Sequence, residues 1–173
     1  MITLYVEENN PITPTFYESL INNLQLHQLT CTCGFSGCLH IHGYYYRFLK
    51  THSGKHPFHI CRVKCSFCGR THAILPSFIV PYSHVPLSDQ VAVIDAAENN
   101  KPLNSIMNAN ILIDESNCRH IIRQYARHWK QKLLSQRIHP VQSAELVPSC
   151  FRFFSRQFMQ IKCTPNILFL NTT

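Results

Sequence analysis

Five cysteines in two clusters offer the chain's clearest chemistry: Cys31-Thr-Cys33-Gly-Phe-Ser-Gly-Cys38 and Cys65-Ser-Phe-Cys68-Gly69. Cys-x-x-Cys-Gly is a metal knuckle. Two thiolates of one tight turn grip a single ion, and the following glycine lets the backbone turn without a Cβ clash. A second pair must come from the first cluster. The spacing favours Cys33, Cys38, Cys65 and Cys68, with Cys31 as the substitute for Cys38, because Cys31 and Cys33 are close for an ordinary knuckle. His40, His42 and His72 are reserve ligands, and Cys61 reads as a core residue. Four thiolates around Zn2+ make a closed structural site. With no open position for water, such a zinc would hold the fold together and catalyse nothing.

The charge pattern suggests what that fold binds. The chain has 16 Lys+Arg against 9 Asp+Glu. No carboxylate occurs between Glu18 and Asp89, while Arg47, Lys50, Lys55, Arg62, Lys64 and Arg70 lie inside that span. A basic, acid-free segment attracts a polyanion and releases counterions on binding it. Arg47, Arg62, Lys64 and Arg70 are the expected phosphate contacts.

The elements that would position these residues follow from periodicity. Thr15 is expected to cap a helix carrying Phe16, Leu20, Ile21 and Leu24 at helical spacing. Alternating runs at Leu39–Phe48 and Phe58–Lys64, then Thr71–Val80, read as the strands of a small antiparallel ribbon around the knuckles. After Pro86 the pattern turns helical. Ser88 is expected to cap a helix over Asp89–Asn99, with Asp89 favouring its N-terminus. A short helix follows over Leu103–Asn110. Asp114 then caps a long helix to about Ser135, with Cys118, Ile122, Tyr125, Trp129 and Leu133 along one side and Arg119, Arg123, Arg127 and Lys130 along another.

Three helices ending in a long basic one match a helix-turn-helix layout, in which the arginines would enter a DNA groove. The expected fold class is therefore α+β: a small antiparallel zinc ribbon followed by a three-helix, helix-turn-helix-like module. The expected divisions are a lead-in strand and helix over 1–29, the ribbon over 30–86, the helical module over 87–137 and a tail over 138–173. In that tail Cys150 and Cys163 are expected as buried small side chains.

Cys31-x-Cys-Gly-x-x-Gly-Cys-Leu-His-Ile-His-Gly-Tyr-Tyr-x-Arg47, then Ile60-Cys-Arg-Val-Lys-Cys-x-x-Cys-Gly-Arg-Thr-His-Ala-Ile-Leu-Pro76 and Ile79-Val-Pro-Tyr-Ser83, resembles a bacterial family of uncharacterised, transposase-associated zinc-ribbon proteins. The resemblance is good over about residues 28–86 and loose over 87–135. It implies DNA binding in a mobile-element setting, as an accessory or remnant of a transposase, with a transposase or another protein as a further partner.

A complete transposase is not expected. Such enzymes need three separated carboxylates around two metal ions, whereas here Asp114 and Glu115 are adjacent and Glu145 stands alone. Too few residues follow the long helix for a nuclease core. No phosphate loop or His-Glu-x-x-His is present, so the reading is non-enzymatic. The start, Met1-Ile-Thr-Leu-Tyr-Val-Glu-Glu, lacks the basic region of an export signal, and no apolar run is long enough to span a bilayer. Together with the knuckle and an odd cysteine count, this favours reduced thiols in the cytoplasm. Two alternatives stay open. One is a single-stranded RNA binder that stacks bases on Tyr44, Tyr45 and Tyr46; the other is a protein–protein adaptor whose charge is incidental.

Overall fold

A computed structural model of the chain describes residues 1–140, 143–162 and 167–170, with backbone alone at 143, 144 and 167–170. Cys163 lies outside the described residues. In chain order the elements are β1 (Ile2–Tyr5), α1 (Pro14–Asn22), a 3-10 turn (Leu26–Gln28), β2 (Leu39–Thr51), β3 (Gly54–Cys65) and β4 (Thr71–Pro76). The helices α2 (Leu87–Glu98), α3 (Asn104–Ala109), α4 (Glu115–His128), α5 (Lys130–Ser135) and α6 (Ser143–Phe154) follow, and β5 (Ile167–Leu170) comes last.

The fold is α+β, but its sheet is mixed. Five strands lie in the order β2-β3-β4-β1-β5. The β2–β3 hairpin and the β3–β4 pair are antiparallel, while β1 runs parallel to both β4 and β5. The expected antiparallel ribbon is thus one end of a larger sheet that draws strands from both ends of the chain. Ile2, Thr3 and Leu4 of β1 are all buried, as suits a parallel strand covered on both faces. It is the strand expected at the start of the lead-in; its parallel pairing joins it to residues distant in the chain.

One side chain explains how α1 is fastened to that sheet. The β3–β4 ladder pairs Lys64 with Thr71, Val63 with His72 and Arg62 with Ala73, and the next rung would join Cys61 to Ile74. Instead the Tyr17 hydroxyl accepts from the Cys61 N–H at 2.8 Å and donates to the Ile74 carbonyl at 3.0 Å. Tyr17 is buried against Phe58, and burial pushes its phenol well above the usual range. The helix that carries it is capped two residues earlier than the sequence suggests. Thr13, not Thr15, accepts from the Phe16 N–H at 3.2 Å, because Pro14 fits the first helical position.

The helical half packs around Val93, Ile94, Ile121, Tyr125, Trp129, Leu133 and Phe158. Trp129 meets Phe158 edge to face, with centroids 5.3 Å apart. At this tryptophan the expected single long helix breaks into α4 and α5. Ser88 does not cap α2, which begins at Leu87 behind Pro86. Asp89 is also more than a dipole partner. Its buried carboxylate accepts from Asn110 Nδ2 at 3.0 Å and meets His52 Nε2 at 3.3 Å. Desolvation raises its pKa, opposed by Asn110 and His52. This contact ties the tip of the β2–β3 hairpin to α2 and α3. Gln157, also buried, donates to the Ser77 and Ile79 carbonyls at 2.7 and 3.2 Å and holds the C-terminal segment to the sheet. Among the described residues no helix is long and apolar enough to cross a membrane.

Candidate metal centre

The first cluster folds as a closed turn. Thr30 and Ser36 bridge, the Cys31 N–H donates to the Phe35 carbonyl at 2.8 Å, and the Gly34 N–H donates to the Cys31 carbonyl at 2.9 Å. The chain reverses at Gly34, whose φ of 93° is costly for any residue with a Cβ. The second turn is built alike. Cys65 N–H donates to the Arg70 carbonyl at 2.9 Å, and Gly69, with a φ of 72°, donates back to the Cys65 carbonyl at 3.0 Å. Two contacts lock the turns together. Ser66 N–H donates to the Cys38 carbonyl at 2.8 Å, and the Phe35 and Phe67 rings stack with centroids 3.7 Å apart.

This scaffold brings together the thiols of Cys31, Cys33, Cys65 and Cys68, all within 4.8 Å of one another. Cys31 and Cys68 sulfurs are 3.7 Å apart, and those of Cys33 and Cys65 are 3.8 Å apart. A tetrahedral ion with metal–sulfur bonds of about 2.3 Å separates its sulfurs by about 3.8 Å. The four residues therefore fit a closed tetrathiolate site. Cys31 and Cys65 are buried, while Cys33 and Cys68 are partly exposed.

The four clustered thiols include Cys31, the substitute that the spacing allowed, in the place where spacing favoured Cys38. Cys38 Sγ donates to the Phe35 carbonyl at 3.1 Å and lies 3.3 Å from Cys65 Sγ, outside the four. A Cys-x-x-Cys turn reverses the chain between its cysteines. In Cys31-Thr-Cys33-Gly34 the chain turns at Thr32 and Cys33, closed by the Gly34 N–H on the Cys31 carbonyl, and both sulfurs of the short spacing reach the same cluster. Among the reserve histidines, His72 approaches the cluster. It is buried, with Nε2 3.3 Å from Cys31 Sγ. Desolvation pushes its pKa down to about 4, so a neutral imidazole stands beside a ligand sulfur, where an outer partner orients it. Exposed His40 and His42 stand apart from the site, and Cys61 is buried in β3 as expected.

Crowding shows in the thiol acidities. The Cys68 N–H donating to Cys65 Sγ at 3.4 Å helps bring the Cys65 thiol down to about 6. At Cys68 the Arg70 amide favours the thiolate, but desolvation and the neighbouring sulfurs outweigh it and push the thiol up to about 11. Four thiolates at this spacing need a cation among them.

The expected phosphate contacts separate into free and committed groups. Arg62 and Arg70 are exposed, and Lys64 is half-buried. Arg47 is occupied. Its guanidinium donates to the Val80 and Ser83 carbonyls at 2.5 and 2.6 Å, and desolvation lowers its pKa. Replacing Arg47 by methionine is expected to destabilise the fold by about 1.5 kcal/mol without changing affinity for a polyanion. Paired thermal unfolding and binding measurements check this, and loss of affinity at full stability would return Arg47 to the binding surface. On α4, Arg119 pairs with Glu115, its Nε donating at 3.1 Å. Lys130 of α5 pairs with Glu98 at 3.0 Å. Arg123 and Arg127 are exposed and in no ion pair among the described residues.

The molecule is thus an α+β protein with a four-cysteine site fit for a metal ion. Residues 30–113, from the first knuckle to the loop before α4, match the model of a domain of unknown function (DUF6431). No curated protein and no solved structure matches the chain.

Proposed function

We propose that the chain is a zinc-stabilised, non-enzymatic protein that binds duplex DNA. Zinc fits a site made only of thiolates, since soft sulfur ligands in a tetrahedron select it over harder cations. Bound there, it would contribute folding stability through Cys31, Cys33, Cys65 and Cys68 and leave no coordination position for a substrate. The observation that carries the DNA reading is the pair Arg123 and Arg127, exposed and unpaired on α4 in a chain whose acid-free stretch also exposes Arg62 and Arg70. In a helix-turn-helix-like arrangement α4 would be the helix laid in the groove, with the two ribbon arginines on phosphates. The resemblance to transposase-associated ribbons makes mobile-element DNA ends the first targets to try.

The test is a salt-dependent titration of zinc-loaded protein with duplex DNA. Arg123→Ala with Arg127→Ala is expected to weaken binding at least tenfold and to reduce the salt slope by roughly 2. Unchanged affinity would remove α4 from the interface. A protein-adaptor reading is favoured by one feature, the stacked Phe35 and Phe67 rings, which are 48% and 65% exposed at the knuckle tips. Zinc content without DNA affinity at low salt would shift the assignment to it.

A further inference from the structure

The β2–β3 hairpin carries a ring stack on its outer surface. Tyr44 and Tyr46, two residues apart on β2, face the same way. His59, opposite Tyr46 on β3, stands between them. Its ring centroid lies 4.7 Å from that of Tyr44 and 4.8 Å from that of Tyr46, with planes inclined by 27° and 21°. Two residues of strand advance roughly 6.7 Å, which is the space one flat ring fills between two others. Phe48, 40% exposed, continues the row, but the residue opposite it is Pro57, which has no flat ring to insert. The side of Tyr46 away from His59 is therefore without the ring that β3 supplies on the other side. Tyr46 is 69% exposed, whereas Tyr45 turns the other way and packs against the core.

The surroundings select the occupant. Lys55 Nζ lies 4.7 Å from the Phe48 centroid, one position along the row from Tyr46. No carboxylate occurs in the sequence between Glu18 and Asp89. Flat rings beside a cation, in an acid-free stretch, suit an unpaired base on a phosphate backbone. Duplex DNA keeps its bases inside the helix and cannot offer a face to Tyr46.

We propose that Tyr46 and Phe48 receive an unpaired base of a single-stranded nucleic acid, with Lys55 on the adjoining phosphate. His59 is a positioning residue that holds Tyr46 upright. The site rests on the nucleic-acid reading above and adds the form of strand it takes, as would be met where a duplex is opened or frayed.

The experiment measures zinc-loaded full-length protein by fluorescence anisotropy against a short labelled oligothymidine and, in parallel, a labelled duplex. Tyr46→Ala is expected to weaken oligothymidine binding by roughly 5- to 100-fold and to leave duplex binding unchanged. Tyr46→Phe keeps the ring and should stay within about twofold of the parent. Lys55→Ala should lower the single-strand salt slope by about 0.7. The proposal is overturned if the parent binds duplex but not oligothymidine, or if Tyr46→Ala binds oligothymidine like the parent. Binding of neither nucleic acid overturns it together with the reading on which it rests.

Discussion

Cys31→Ser and Cys65→Ser proteins are expected to lose their metal and the folded ribbon with it, whereas Cys38→Ser should keep one zinc per chain. The reason is geometric. Cys31, Cys33, Cys65 and Cys68 lie within 4.8 Å of one another, and Cys38 Sγ instead donates to the Phe35 carbonyl. Binding free energy at a structural zinc site amounts to about 10–16 kcal/mol, as large as the roughly 5–15 kcal/mol by which whole domains are stable. Losing one ligand from the buried side therefore threatens the whole arrangement of both turns. Chelation of the parent should act likewise, melting the β2–β3 end of the sheet first. Elemental analysis with circular dichroism on the three variants decides it. Zinc retained by Cys31→Ser and lost by Cys38→Ser would restore the ligand set that spacing favoured.

Tyr17→Phe is the second large effect, an expected loss of about 2–4 kcal/mol from removal of one oxygen atom. The hydroxyl stands in for the missing rung between Cys61 and Ile74, and both backbone groups sit among buried residues. Without it a buried N–H and a buried carbonyl lose their partner at once, each at a penalty of about 1–3 kcal/mol. The midpoint of thermal unfolding should fall by about 10 °C, with zinc content unchanged. Tyr45→Phe, on the same sheet but without this bridging role, should shift it by no more than about 2 °C. Equal behaviour of the two variants would show that the ladder closes by itself when the hydroxyl is gone.

These two cases mark the boundary between what residues announce locally and what packing decides. Cys65-Ser-Phe-Cys68-Gly69 is legible because a knuckle needs its sulfurs and its left-handed glycine a fixed distance apart along the chain. The β2–β3 hairpin is legible for the same reason, since alternation and a Ser-Gly turn act over neighbours. The partner turn was harder. Cys31, Cys33 and Cys38 offer two workable pairs, and which thiols gather beside Cys65 and Cys68 depends on how the Cys31–Gly34 turn closes and on the Ser66 amide that holds the Cys38 carbonyl.

The charged residues divide in the same way. Periodicity puts Arg119, Arg123 and Arg127 on one side of a helix, but periodicity carries no information on which of them Glu115 occupies. Arg47 looked like a phosphate contact among five other cations, yet its guanidinium fastens the Val80–Ser83 turn to β2. A guanidinium buried on carbonyls and one in water have the same sequence signature.

By itself, then, the sequence determined the α+β class, the knuckle at Cys65 and Cys68, the antiparallel hairpin leading into it, and the basic, acid-free span around them. Each depends on chemistry between residues close in the chain. Only the tertiary structure decided that β1 and β5 extend the sheet in parallel, that Cys31 gathers with Cys33, Cys65 and Cys68, that Tyr17 bridges β3 and β4, and that His59 fills the space between Tyr44 and Tyr46. All four join residues distant in sequence, where the outcome is set by which backbone groups and rings remain unpaired after the local elements have formed.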